Sequence, residues 1–147
     1  MSFNAQGQSV TVIIPAHNEE QALPPTLGSL MAQDFSGHLR IIVVPNGCDD
    51  RTAEVARSFI PEAERRGLEL LVAELTEGCK PKALNLGDVH AIPDSIRVYL
   101  DADIRLSPSA ITAVARELRE GSGIHCAAPR IQVAPAKSWV TRAYLKV

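Results

Sequence analysis

Short apolar runs rich in β-branched residues alternate with segments of helical spacing along the whole chain. Such runs are typical of strands in a parallel sheet, because both faces of that sheet are covered. We predict strands at Val10–Ile14, Leu39–Val44, Leu68–Ala73, Ile96–Leu100 and Ile124–Ala128. We predict helices from Leu23 to about Gln33, from Asp50 through Phe59, from Lys82 to about His90, from Pro108 through Leu118, and around Trp139–Tyr144. This alternation predicts an α/β fold with a mostly parallel sheet and helices on both faces.

Composition narrows the class of protein. The chain has 147 residues, of which 46% are hydrophobic, and we predict a single domain over residues 1–147. The net charge of −2 argues against nucleic acid as a partner. No apolar run reaches the roughly 20 residues that span a bilayer, and Met1–Gln8 lacks a signal pattern. The three cysteines form no Cys-x-x-Cys pair, so we expect reduced thiols and a cytoplasmic location.

Two carboxylates follow the predicted strand at Ile96–Leu100. Asp101 and Asp103 are spaced i, i+2, so they would leave the strand on the same face and could converge on one hard cation. In open α/β sheets, ligands bind at the carboxyl ends of the strands, where both acids would lie. The alternative is an ordinary solvated loop that caps the next helix, because Asp is common there too.

The other loops that follow strands are also polar. Pro15 is expected to end the first strand, and Asn18 is a candidate N-cap for the helix after it. If the sheet is parallel, four loops meet at one edge and bring together His17, Asn18, Glu19, Asn46, Asp49, Asp50, Lys80, Lys82, Asp101 and Asp103. Amides, lysines and paired acids suit a ligand with a hydrogen-bonding ring and a diphosphate.

Several other functions are disfavoured by the sequence. The chain lacks Gly-x-Gly-x-x-Gly, a P-loop and a Gly-x-Ser-x-Gly elbow. Aspartate-nucleophile phosphatases also use Asp-x-Asp, but after their first strand, and Arg105 stands here where they carry Thr or Val. A zinc site made of His17, Cys48 and Cys79 is a weaker alternative, because it needs three loops to converge.

Four motifs in order resemble one enzyme family. Val-Ile-Ile-Pro-Ala-His-Asn-Glu-Glu (12–20), Val-Val-Pro-Asn-Gly-Cys-Asp-Asp-Arg-Thr (43–52), Lys-Pro-Lys-Ala-Leu-Asn (80–85) and Tyr-Leu-Asp-Ala-Asp (99–103) are similar to motifs of the family 2 glycosyltransferases. The similarity runs from about Val10 to Arg130. It implies a Rossmann-like GT-A fold and a glycosyltransferase that transfers a sugar from a nucleotide-diphosphate sugar to an acceptor hydroxyl, with metal dependence and inversion.

The resemblance also implies roles for individual residues. Donor-binding residues would be Pro15, Ala16, His17, Glu19, Asn46, Lys80, Lys82 and Asp101. Asp103 would be a direct ligand of Mn²⁺ or Mg²⁺, and Asp101 would lie at the ribose or the metal. Asn46 stands where the family usually has an acid that reads the base, so the choice between UDP- and GDP-sugars stays open.

The end of the chain departs from the family. The acceptor-binding half has no counterpart after Arg130, and with it the catalytic base and the arginine-tryptophan motif are missing. We therefore expect the donor-binding portion of an enzyme, which acts on a saccharide or lipid acceptor, at the inner membrane face if the full-length protein has membrane helices. The alternative is a nucleotide-sugar-binding module that is catalytically incomplete. An uncovered sheet edge would also favour self-association.

Overall fold

Four parallel strands form the centre of the protein in a computed structural model, which describes residues 7–120, 123, 126 and 127. The strands are β1 (Ser9–Ala16), β2 (His38–Pro45), β3 (Glu69–Val72) and β4 (Ile96–Tyr99). Their order across the sheet is β3-β2-β1-β4, and every pair is parallel. The predicted α/β class is confirmed. The predicted strand at Ile124–Ala128, except for Cys126 and Ala127, and the predicted helix at Trp139–Tyr144 lie outside the described residues.

Five helices cover the two faces of this sheet in the described part of the chain. They are α1 (Leu23–Met31), α2 (Thr52–Ser58), α3 (Ile60–Arg65), α4 (Lys80–Val89) and α5 (Ala110–Glu120). Because successive side chains of a strand point to opposite faces, Val12 and Ile14 of β1 both pack in the core shared with α1, α2, α3 and α5. Ile13 points to the opposite face, where it packs with Ala83 of α4. Helices therefore lie on both faces, as predicted.

Pro15 lies inside β1, so the prediction that it ends this strand is wrong. Successive residues of a parallel strand direct their backbone groups alternately to the two neighbouring strands. The carbonyl of Ile13 accepts from the N–H of Leu100 on the β4 side, and that of Ala16 accepts from Asn46 on the β2 side. Pro15 therefore faces the β4 side, beyond the last paired residue of β4, and no ladder bond is lost.

Some helix boundaries also differ from the predictions. The helix predicted from Asp50 through Phe59 is shorter, and Pro61 lies in the first turn of a second helix, α3. Proline suits that position because its fixed φ matches the helix and its missing N–H would have had no partner. Helix α4 begins at Lys80, two residues before the predicted Lys82, with Pro81 again in the first turn.

The order of the strands creates a switch point beside β1. The chain builds β1, β2 and β3 in one direction across the sheet and then crosses to place β4 on the other side of β1. Helix α4, which makes this crossover, lies on the face opposite α1, and the reversal of strand order beside β1 is where a crevice opens at the carboxyl ends of the strands. In the part of the chain that the structure describes, no helix is long and apolar enough to cross a membrane.

A mostly apolar cavity of about 670 Å³ lies between the edge strand β4 and helix α5. Residues Val98 and Leu100 line it from the strand side, and Ile111 and Leu118 line it from the helix side. The expectation of self-association stays a prediction.

Candidate functional site

A polar cavity of about 260 Å³ opens at the switch point. It is lined by Pro15, His17, Glu19, Asn46, Lys80, Asp101, Ala102 and Asp103. These residues come from the loops or strand ends after β1, β2 and β4 and from the start of α4. Seven of the residues expected to bind donor or metal therefore lie together. Two expected residues, Ala16 and Lys82, do not line the cavity, and Ala102 lines it without having been expected.

Asp101 and Asp103 are both exposed at the mouth of the cavity. The Nζ of Lys80 lies 2.5 Å from Oδ1 of Asp101, so the two side chains form an ion pair with more than half of each exposed. No group of three or more His, Cys, Asp or Glu in the described ranges could hold a metal ion by itself. The fit for Mg²⁺ or Mn²⁺ is nevertheless good, because these ions use one or two carboxylates and take their other oxygens from water and phosphates.

Ala102 anchors the loop that carries the two acids. Its side chain is buried between exposed neighbours, and its carbonyl accepts a 2.7 Å hydrogen bond from the hydroxyl of Thr26 in α1. Thr26 is itself fully buried, so this contact fixes the backbone between Asp101 and Asp103. The small apolar residue between the two acids of Asp-Ala-Asp was the available sequence signal for such an anchor.

Asn46 is buried at the end of β2, and its amide nitrogen is already used. Nδ2 donates to the carbonyl of Ala16 at 3.0 Å and to that of Val44 at 3.2 Å. The side-chain atom that remains for a ligand is the acceptor Oδ1. Asn46 therefore offers a ligand an acceptor, as the acid usual at this position would, and it also ties the ends of β1 and β2 together.

The ring of His17 is oriented by the backbone of Asn46. Nδ1 lies 2.7 Å from the Asn46 carbonyl oxygen, which can only accept, so Nδ1 carries the proton and donates. Nε2 is then the ring nitrogen left for a ligand in the cavity. The alternative zinc site is not formed: the thiol of Cys48 donates to the Ala16 carbonyl, and the described residues contain no three-ligand group.

The two expected residues outside the cavity are engaged elsewhere. Ala16 is buried, and its carbonyl accepts from both the backbone and the side chain of Asn46. Lys82 lies on the surface of α4 and pairs with Glu77, and this hydrogen bond raises the pKa of its ammonium group. Ala16 therefore supports the site through its backbone, and Lys82 pairs with Glu77 outside the cavity.

Comparison with known proteins decides the family. The sequence model of the family described as Glycosyl transferase family 2 matches residues 11–144. The chain belongs to glycosyl transferase family 2. The resemblance carried by the four motifs is thereby confirmed.

Two curated relatives of this family 2 chain have named activities. An N-acetylglucosaminyltransferase from Rhizobium leguminosarum bv. viciae is 30% identical over 137 residues, which cover 91% of this chain and 31% of that protein. A 4,4'-diaponeurosporenoate glycosyltransferase from Staphylococcus haemolyticus is 38% identical over 100 residues, which cover 68% of this chain and 25% of that protein. The family 2 chain thus spans less than a third of either relative.

A solved structure supports the fold of the family 2 chain. The mannosyltransferase PcManGT from Pyrobaculum calidifontis, in complex with GDP-Man and Mn²⁺, matches with a TM-score of 0.64 and 32% identity. The match covers 74% of this chain and 32% of that one. The expected GT-A architecture is confirmed at the level of the fold.

Proposed function

We propose that this chain forms the donor-binding portion of a glycosyltransferase that transfers a sugar from a nucleotide-diphosphate sugar to an acceptor hydroxyl. The observation that carries the proposal is the gathering of His17, Asn46, Lys80, Asp101 and Asp103 around one cavity at the switch point. These residues are up to 86 positions apart in sequence, so neither propensity nor loop polarity alone accounts for their convergence. The known binding of GDP-Man and Mn²⁺ by PcManGT is consistent with such a donor.

The proposed ligand fits the distribution of chemistry in the cavity. Asn46 Oδ1 would accept from a ring N–H of the base, and His17, with Nε2 free, and Glu19 line the same cavity. Lys80 supplies a positive charge for the diphosphate. An imide or amide N–H occurs in both uracil and guanine, so UDP- and GDP-sugars remain the two donor classes.

Asp101 and Asp103 would hold Mn²⁺ or Mg²⁺. When bound, the cation would offset negative charge on the departing nucleoside diphosphate. Lys80, now paired with Asp101, would turn to the diphosphate, because a phosphate oxygen offers it a second anionic partner. The acceptor is a saccharide or a lipid, transfer inverts the anomeric carbon, and the base that deprotonates the acceptor hydroxyl lies in a part of the enzyme beyond the donor cavity.

Substitution of Asp103 tests this proposal. Asp103→Asn keeps the size of the side chain but removes a metal-binding charge, so we expect at least tenfold weaker Mn²⁺-dependent binding of UDP or GDP by calorimetry. Asp94→Asn is the matched control, because Asp94 is exposed before β4, at the opposite end of the sheet. Equal affinity of the Asp103→Asn variant and the parent for nucleotide and Mn²⁺ would refute the metal-binding role.

The second candidate is a nucleotide-sugar-binding module without transfer activity. The lining of the cavity favours this alternative, because its three acids, Glu19, Asp101 and Asp103, are already assigned to the nucleoside or the metal, which leaves none of them to act as the base. Calorimetry with UDP- and GDP-sugars, followed by a transfer assay with saccharide and lipid acceptors, separates the two functions. Binding without turnover supports the module, and turnover supports the enzyme.

A further inference from the structure

The last residue of β1 and the four residues after it are each hydrogen-bonded to the segment that follows β2. We call these segments, residues 16–20 and 46–52, the paired loops. Their first contacts join Ala16 and His17 to Asn46, as described above. Next along the pair, the N–H of Asp49 donates to Oδ1 of Asn18 at 2.8 Å. Residues 19 and 20 complete the series through Asp50, Arg51 and Thr52.

Thr52 makes the central contacts where the paired loops end, at residues 19 and 20. It is fully buried, and its hydroxyl oxygen accepts a 2.8 Å hydrogen bond from the N–H of Glu19. The same hydroxyl donates to Oδ1 of Asp50 at 2.5 Å. The other oxygen of Asp50 accepts from the N–H of Glu20 at 3.2 Å. One threonine hydroxyl and one carboxylate therefore hold two consecutive backbone groups of the first loop.

The backbone that these contacts hold is not regular. Asn18 has a φ of +55°, a left-handed conformation that residues with a side chain adopt at a cost, and Asn is among the few that tolerate it. Asn18 is not the N-cap that was predicted, because Ala22 holds that position before α1. Such a conformation persists when neighbouring contacts fix it. The side chains on either side of Asn18, those of His17 and Glu19, both line the donor cavity.

We infer that Thr52 and Asp50 are positioning residues, which set the first loop so that His17 and Glu19 present their side chains to the nucleoside part of the donor. Neither residue lines the cavity. They act through the Glu19 and Glu20 backbone, as supporting hydrogen bonds commonly do for groups that contact a ligand. The inference rests on the proposed donor-binding function and adds to it a requirement for the buried hydroxyl.

A set of threonine variants tests the inference. Thr52→Val removes the hydroxyl and keeps the shape of the side chain, whereas Thr52→Ser keeps the hydroxyl. Thr11→Val is the matched control: Thr11 is also fully buried, and its hydroxyl also accepts from a backbone N–H, that of Ile92, but toward the opposite end of β1. Affinity for UDP and GDP with Mn²⁺, thermal unfolding and the amide exchange rate of Glu19 are measured for each protein.

We expect Thr52→Val to weaken binding of the preferred nucleotide about fivefold to tenfold and to speed exchange of the Glu19 amide, as loss of a buried hydrogen bond would. Thr52→Ser should stay within about twofold of the parent. Thr11→Val should lower the unfolding temperature without weakening nucleotide binding.

Two results would overturn the inference while leaving the proposed function intact. One is parental affinity in Thr52→Val, and the other is an equal loss of affinity in Thr52→Val and Thr11→Val. A loss in Thr52→Ser as large as that in Thr52→Val would also overturn it, because the hydroxyl would then not be the group that matters. If the parent binds neither UDP nor GDP, the proposed function fails and the inference falls with it.

Discussion

Replacing Gly87 with alanine should destabilise the protein, although glycine-to-alanine changes inside helices usually stabilise it. Gly87 is a buried residue of α4, and a Cβ built there would lie 2.3 Å from Cγ2 of Ile13 and 3.2 Å from its Cγ1. Ile13 is fully buried in β1 and has a stiff β-branched side chain. The glycine therefore allows α4 to approach the centre of the sheet closely.

The size of the effect follows from these distances. Carbon atoms prefer separations of about 3.5–4.0 Å, so α4 must move away from β1 by about 1 Å, or Ile13 must leave its rotamer. Overpacking of this kind costs about 1–3 kcal/mol. The ordinary gain in helix propensity is about 1 kcal/mol, which leaves a net loss of up to about 2 kcal/mol. At about 3 °C per kcal/mol, the unfolding temperature should fall by up to about 6 °C.

The assay compares Gly87→Ala with Gly28→Ala by thermal and urea unfolding. Gly28 lies in α1, and a Cβ there would meet no atom within 4 Å, so alanine should raise stability by up to about 1 kcal/mol. Because α4 begins with Lys80, the Gly87 variant should also bind nucleotide more weakly. A Gly87→Ala protein at least as stable as Gly28→Ala would refute the close packing of α4 on β1.

Two further predictions concern ion pairs. Lys80→Met removes the cation beside Asp101. Without nucleotide, we expect the variant to bind Mn²⁺ about threefold to fivefold more tightly than the parent, since an exposed ion pair is worth at most about 1 kcal/mol, and we expect it to bind nucleoside diphosphates more weakly. Calorimetry that finds both affinities unchanged would contradict this prediction. The hydrogen bond from Arg40 holds the pKa of Glu69 below its ordinary value of 4.5, against the effect of burial, and His38 adds to the lowering. Because the folded-state pKa is the lower one, this stabilisation is complete above the unfolded-state pKa and is lost as the pH falls through the folded-state pKa. Glu69→Gln should therefore be less stable than the parent at pH 7 and equally stable near pH 2, and a gap in urea midpoint that persists at low pH would count against this pair.

The sequence was sufficient to predict the class of fold and most members of the cavity. Periodicity identified all four described strands, and parallel strands bring the loops at their carboxyl ends to one edge. The sequence alone therefore predicts that Asp101, His17 and Asn46 lie together. Their convergence follows from topology, which apolar patterning encodes over many residues.

What the sequence did not predict depends on contacts between distant segments. Pro15 continues β1 because its missing N–H happens to face the side where β4 has ended, and local strand rules contain no such information. Lys80 and Lys82 are equally plausible ligands in the sequence, but the start of α4 turns only Lys80 toward the cavity. The Thr52 hydroxyl accepts from Glu19 while it donates to Asp50, and the first of these bonds joins residues that are 33 positions apart.

The measurement that tests the central claim most directly is an anomalous-scattering map of crystals grown with Mn²⁺ and either UDP or GDP. We expect a manganese peak within about 2.5 Å of carboxylate oxygens of Asp103 and Asp101, with the diphosphate on the same ion and the base beside His17 and Asn46. A nucleotide bound elsewhere, or a cavity without manganese in crystals that contain bound nucleotide, would contradict the account.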